Sequence, residues 1–141
     1  VVGVEINARL VACANENLRA NLRREEGGQL NACVIKIPAE NFNPGMLRRP
    51  QLARQAPWGE GGAEDFRFQV VLVDPPRAGL DKHTLRVVQR YDHVLYISCC
   101  PASLARDLAG GLGEGREVVR WAVLDHFPNT SHIEAAVYLR R

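Results

Sequence analysis

Four consecutive aliphatic residues, Val70-Val71-Leu72-Val73, run straight into Asp74-Pro75-Pro76-Arg77. No other junction constrains the fold as strongly. A short run that is apolar on both faces suits a strand covered on both sides, as in parallel sheets flanked by helices. Two successive prolines then remove two backbone donors and fix φ, so the strand must stop and a rigid turn must follow. That turn holds Asp74 at a set place beyond the strand's carboxyl end.

The rest of the chain alternates in the same style. Val1–Ile6 reads as a buried strand with an acid, Glu5, near its end, and Asn7 as the N-cap of a helix to about Arg24. Val11, Ala14, Leu18 and Leu22 keep helical spacing along it, and Gly27-Gly28 stops it. Ala32–Ile37 is a second strand, Gln69–Val73 a third and His93–Ser98 a fourth. Helices are expected over Lys82–Arg90, with Leu85 and Val88 inward, and over Ala102–Leu112. Val118–Leu124 and Ile133–Leu139 read as an antiparallel pair at a sheet edge. Strands alternating with helices predict an α/β fold with a mostly parallel sheet and an antiparallel edge hairpin. Ligands of such sheets bind beyond the carboxyl ends of the strands. Glu5, Glu40, Asp74 and Cys99 are the polar residues expected there. Between Asn41 and Phe66 the periodicity fails among prolines and glycines, and Arg48, Arg49 and Arg54 cluster within it. That stretch reads as a mobile surface insertion or an RNA-contacting one, with room for a short helix over Met46–Ala56.

With 141 residues the chain is one domain or part of one. It starts without Met, inside the apolar run Val1-Val2-Gly3-Val4, which reads as a piece of a longer protein. A hydrophobic share of 46% excludes wholesale disorder, and a net charge of +2 excludes a polycationic nucleic-acid binder. All but Lys36 and Lys82 of the 18 basic residues are Arg. Arg forks suit phosphate, although a genome favouring Arg gives the same bias. No apolar run reaches the roughly 18 residues of a membrane span, and no secretion signal is visible. Cys13, Cys33, Cys99 and Cys100 form no CxxC pair and no Cys/His metal spacing, so a reducing, intracellular compartment is expected, the cytoplasm first.

Five residues, Glu5, Asp74, Cys99, Cys100 and Glu134, are candidates for chemistry. Glu5 can accept hydrogen bonds from ribose hydroxyls, or can simply be solvated. Asp74 is held by its prolines; amino-group methyltransferases carry a similar Asp-Pro-Pro motif followed by an aromatic, and Arg77 in that place argues against exocyclic-amine chemistry. Cys99 and Cys100 stand between a strand and a helix start, where the helix dipole favours thiolate. Spacing treats the two alike. Cys13 and Cys33 read as buried structural thiols. Glu134, entering an apolar strand, can serve as a base if desolvated or can be a solvated edge acid; His126 and His132 read as loop residues.

Three ordered blocks, VDPPRAGLD, LYISCCP and DHFPNTSHIEAAVYL, resemble the RNA (uracil-5-)-methyltransferase family. They look most like its tRNA branch, which makes 5-methyluridine in the T-loop and whose blocks read approximately V-D-P-P-R-[SA]-G-L-D, Y-I-S-C-N-P and F-P-x-T-x-H-x-E. The resemblance runs from Val1 to the end, apart from Asn41–Phe66. It implies a Rossmann-like class I S-adenosylmethionine-dependent methyltransferase fold, of which this chain is the C-terminal part, with the first strand and Gly-rich cofactor loop lying before Val1. By position it makes Cys99 the nucleophile, Glu134 the proton acceptor, and Asp74 and Glu5 cofactor-binding residues, Glu5 holding the ribose. Cys100 stands where the family has Asn.

The resemblance further implies S-adenosyl-L-methionine as cofactor and tRNA as partner, with no membrane and no metal in this segment. Alone, the chain is expected to bind cofactor poorly. Two other readings remain open: a ribosomal-RNA uridine-5-methyltransferase, and a non-catalytic RNA-binding or tRNA-folding protein of the same fold.

Overall fold

The computed structural model describes residues 1–22, 32–49 and 68–141. It divides into two units, Val1–Arg67 and Phe68–Arg141.

In the first unit, strand β1 (Val2–Glu5) pairs in parallel with β2 (Cys33–Lys36), Val2 opposite Cys33 and Glu5 opposite Lys36. Helix α1 (Ala8–Asn21) follows β1 directly. Asn7 caps it as its sequence position predicts: the side-chain oxygen accepts from the amides of Arg9 at 2.9 Å and Leu10 at 3.4 Å. Val11, Ala14 and Leu18 of the expected stripe are partly covered, as is Asn15, whereas Leu22 is the C-cap and is exposed. On the same side Asn15 does a strand's work: its amide group donates to the Val34 carbonyl at 2.7 Å and its oxygen accepts the Val34 amide at 2.9 Å. Those two backbone groups of β2 are thereby satisfied without a further strand.

The second unit holds a four-stranded sheet in the order β3-β4-β6-β5. Strands β3 (Val70–Val73) and β4 (His93–Ser98) are parallel, β6 (Glu134–Arg140) runs antiparallel to β4, and β5 (Glu117–Leu124) antiparallel to β6. Helices α2 (Lys82–Val88) and α3 (Pro101–Asp107) return the chain between strands. Val88, Val94, Tyr96, Leu104, Leu112, Ala135 and Leu139 form the core. Burying each large aliphatic side chain there contributes roughly 1.5–3 kcal/mol. Asp81 caps α2, accepting from the His83 and Thr84 amides and from the Thr84 hydroxyl at 2.5 Å. Its carboxyl lies below the usual range because of the Thr84 hydroxyl first, then the two amides.

Several expectations change. The helix expected over Ala102–Leu112 ends as an α-helix at Asp107 and continues as one wider turn, Leu108–Leu112, closed by the Gly113 amide on the Leu108 carbonyl at 3.0 Å. Gly111 permits this with a φ of 111°. Glu40 is not at a strand end but in a 3-10 turn, Ala39–Asn41, past the end of β2. Cys13 is exposed rather than a buried structural thiol, because it falls outside the Val11-Ala14-Leu18 stripe. Cys33 is buried, and burial pushes its thiol up to about 11. A second 3-10 turn, Pro44–Arg48, opens the stretch where a mobile insertion and a short helix are expected; its remainder, with Arg54, lies outside the described residues. Among the described residues no helix is long and apolar enough to cross a membrane.

Candidate active site

The turn after β3 is shaped from α3. Gly79 donates to the Pro76 carbonyl at 2.8 Å, closing the turn with a φ of 80°. Ser103 Oγ donates to the Arg77 carbonyl at 2.6 Å, and Arg106 Nη2 to the Ala78 carbonyl at 2.6 Å. Leu80 donates its amide to Asp107 Oδ2 at 2.8 Å. Burial by itself would raise the Asp107 carboxyl, but the Leu80 amide, the Tyr96 hydroxyl and the Arg106 guanidinium outweigh it and hold the group below its usual value. Asp74 thus stands just past β3 as an exposed residue, and Arg77 follows the Pro-Pro pair.

Strand β4 delivers the thiols. Ser98 Oγ donates to the Cys100 carbonyl at 3.0 Å and accepts the Cys100 amide at 3.1 Å, which folds Cys99 into a tight bend. Cys100 is the N-cap of α3, its carbonyl accepting the Ser103 and Leu104 amides. The thiol lowered at the helix start is therefore that of Cys100: the Ser103 hydroxyl contributes most, then the Ser103 and Ala102 amides and the Arg77 charge. Cys99 is directed elsewhere. Half-buried, it lines a cavity of about 350 Å³ together with Arg77, Phe127, His132 and Glu134. That volume is at the lower end for a small-molecule pocket.

The opposite wall comes from the β5–β6 connection. Glu134 opens β6, paired with Leu124, so its carboxylate stands where the hairpin leaves the sheet. Between them the loop is braced: Thr130 Oγ1 donates to the Phe127 carbonyl at 2.7 Å and accepts the His132 amide at 3.2 Å. The Phe127 and His132 rings meet edge to face with centroids 6.3 Å apart. His132 Nδ1 lies 3.5 Å from Arg77 Nη1, and His126 Nε2 lies 3.7 Å from Glu134 Oε2.

Two of the four residues given roles by the resemblance, Cys99 and Glu134, are brought together in one cavity. Asp74 and Glu5 stand at the carboxyl ends of β3 and β1; Glu5 Oε1 accepts the Asn7 amide at 2.6 Å. The loop reading of His126 and His132 holds as to backbone, yet sequence reasoning missed their proximity to Glu134, and missed Arg77 and Phe127 as cavity walls. The available signal was that Phe127, His132 and Glu134 fall within one short block after β5. Among the described residues no group of three or more His, Cys, Asp or Glu could hold a metal ion.

The element order, the parallel β3–β4 pair and the antiparallel β6 beside it define a Rossmann-like methyltransferase fold. Among solved structures the chain is similar to the Pyrococcus abyssi tRNA (uracil-54, C5)-methyltransferase in complex with S-adenosyl-L-homocysteine, with a TM-score of 0.69 at 23% identity over 99% of this chain and 28% of that one. It is also similar to a putative methyltransferase from Thermoplasma acidophilum, with a TM-score of 0.56 at 10% identity over 99% of this chain and 56% of that one. The family model described as tRNA (Uracil-5-)-methyltransferase matches residues 1–141, and the chain belongs to that family. Curated relatives include the tRNA/tmRNA (uracil-C(5))-methyltransferases of Aeromonas salmonicida, 39% identical over 142 residues, and Neisseria meningitidis serogroup A, 36% identical over 143 residues. All of this chain is covered in both, but only 35% and 37% of those proteins, so the chain spans about a third of their length.

Proposed function

We propose that this chain is the C-terminal part of the catalytic domain of an S-adenosyl-L-methionine-dependent enzyme that methylates carbon 5 of a uridine in the T-loop of tRNA. One observation carries the reading: in a chain of this family, Cys99 and Glu134 line the same cavity. The cofactor residues fit by their chemistry. Asp74 and Glu5 each offer a carboxylate at the carboxyl end of a parallel strand of its own unit, and such a group can accept hydrogen bonds from ribose hydroxyls. When bound, the cofactor supplies an electrophilic methyl group.

The chain's own residues supply the rest. Carbon 5 of uracil is a weak nucleophile, so the ring must first receive electrons. The Cys99 thiolate attacks carbon 6; a C–S bond forms and the ring π electrons move onto the carbonyl oxygen as an enolate. The enolate carbon 5 takes the methyl group; a C–C bond forms as the methyl–sulfur bond breaks, its electron pair staying on the sulfur. Glu134 then removes the proton left on carbon 5; that electron pair restores the ring double bond and expels the thiolate. Arg77, beside the cavity, is placed to meet the phosphate or carbonyl oxygens of the nucleotide. A base inside folded RNA must swing out to enter a cavity of this size.

The test is transfer of labelled methyl from S-adenosyl-L-methionine to tRNA transcripts by the full-length protein, with the T-loop uridine intact or replaced. Label only in the intact transcript is expected; equal labelling of both would sink the T-loop assignment, and labelling of ribosomal RNA alone would move the substrate. Calorimetric titration of the 141-residue chain with the cofactor is expected to show weak binding, and tight binding would refute the view that it supplies only part of the cofactor site.

A further inference from the structure

Glu134 has two carboxylate oxygens and needs only one for a proton on carbon 5. Its Oε2 lies 3.7 Å from His126 Nε2, and among the described residues no other side chain pairs with it. The two groups differ in exposure, 57% for the His126 side chain and 30% for that of Glu134, so the imidazole is the more open of the two. We propose that His126 is a positioning residue for Glu134, donating Nε2–H to Oε2 so that the other oxygen is turned toward the substrate carbon. This rests on the reading of Glu134 as proton acceptor.

The backbone explains how His126 comes to be there. The β5–β6 ladder ends at the Leu124–Glu134 pair, and His126 lies just beyond it. The following loop is braced by the Thr130 bonds, by the Phe127–His132 ring contact and by the left-handed turn at Asn129, whose φ is 67°. His126 immediately precedes this braced segment, so its position over the start of β6 does not depend on its own side chain. A separation of 3.7 Å is longer than a hydrogen bond. Contacts of catalytic groups are often long without substrate and tighten when it binds.

Orientation matters here because a carboxylate that rotates freely spends part of its time with neither oxygen aimed at the proton, and holding it removes that loss from the reaction step. Either neutral imidazole with its proton on Nε2 or imidazolium can donate in this geometry. His126 lies outside the F-P-x-T-x-H-x-E block, which begins at Phe127.

The experiment separates formation of the Cys99–RNA bond from its resolution in the full-length protein. Formation is timed on tRNA carrying 5-fluorouridine at the target, whose carbon-5 fluorine cannot leave as a proton. Resolution is followed on ordinary tRNA, as methyl turnover and as the share of protein held in covalent adduct. For His126→Ala, formation at the wild-type rate is expected, with turnover roughly tenfold slower and adduct accumulating on ordinary tRNA. His126→Gln, whose amide can donate to Oε2, is expected to restore most of the turnover. Wild-type turnover in His126→Ala overturns the proposal, as does slowing confined to formation or failure of Gln to rescue. Absence of any adduct in the wild-type protein on fluorinated tRNA overturns instead the covalent reading on which the proposal stands.

Discussion

Tyr96 donates its hydroxyl to Asp107 Oδ2 at 2.7 Å, and the Leu80 amide reaches the same oxygen at 2.8 Å. One buried carboxylate on α3 therefore joins the strand that delivers Cys99 to the turn that follows Asp74. The turn has no regular structure, so its shape depends on such bonds; those from Ser103 and Arg106 complete the set. Through them the relative placement of Arg77 and Cys99, both at the cavity, becomes a property of the packed core.

Asp107→Ala is expected to lower the stability of the unit by about 3 kcal/mol, because it leaves the buried Tyr96 hydroxyl and the Leu80 amide without their acceptor. Urea unfolding reads the change directly. The pH dependence has a defined sign. The Asp107 and Asp81 carboxyls sit below their usual values when folded, so their contribution is complete above the unfolded carboxyl range near pH 4 and is lost as pH falls through the lower folded values. In Asp107→Asn the acid limb of the stability curve should be shallower than in the wild-type chain; an unchanged limb would show that Asp107 titrates alike in the folded and unfolded chain.

Gly79→Ala tests the same turn from the backbone. A Cβ at this position lies 2.6 Å from Asp107 Oδ2 and meets Arg106 Nη2 as well, while the φ of 80° is strained for any L side chain. The left-handed conformation alone costs roughly 1–2 kcal/mol, and displacement of the Asp107–Arg106 pair adds to it. Unfolding should show a loss of about 2 kcal/mol or more, with Asp107→Ala/Gly79→Ala less than additive because both break one network.

Much of this architecture could be read from the residues because it is local. The bounds of β4 coincide with the apolar run His93–Ser98, Asn7 caps α1 through an oxygen that its sequence position already offers, and Asp74-Pro75-Pro76 ends β3 for reasons of φ and missing donors. Cys99 and Glu134 were marked by their place in family-like blocks, and the fold brings them to one cavity. What stayed hidden depends on tertiary contact. Nothing periodic distinguishes His126 or His132 from other loop residues, and their placement follows from hydrogen bonds of Thr130 and from where the β5–β6 ladder ends. Likewise the dipole reasoning applied equally to Cys99 and Cys100 until the bend at Ser98 made Cys100 the cap of α3 and sent Cys99 to the cavity.

Three of the four thiols, Cys13, Cys33 and Cys100, should differ in alkylation. Cys13 is exposed, and Cys100 is half-buried with its thiol held low by the Ser103 hydroxyl and the α3 amides. Cys33 is 3% exposed and its thiol is pushed up to about 11. Iodoacetamide under native conditions at mildly alkaline pH, followed by peptide mass analysis, is expected to modify Cys100 and Cys13 and leave Cys33 untouched until the protein is unfolded. Early modification of Cys33 would mean that the first unit opens readily. Because Cys100 is not among the residues lining the cavity, Cys100→Asn should keep most of the methyl transfer of the full-length protein.

The last prediction concerns the two groups that share the cavity. If Cys99 forms the bond to carbon 6 and Glu134 is needed only to release it, removing each must fail at a different stage. In the full-length protein Glu134→Gln keeps the thiolate and the cavity wall but cannot accept a proton, so methylated RNA should remain attached to protein, and turnover should drop by the roughly 10²–10⁴ that a positioned base contributes. Cys99→Ala should abolish both attachment and turnover, since without the added electrons carbon 5 does not attack the methyl group. Denaturing electrophoresis of labelled tRNA distinguishes the cases by whether the label migrates with protein. An adduct persisting in Cys99→Ala moves the nucleophile to Cys100, which Cys100→Ala would then remove, and an adduct absent from Glu134→Gln but present in the wild type places Glu134 before bond formation rather than after it.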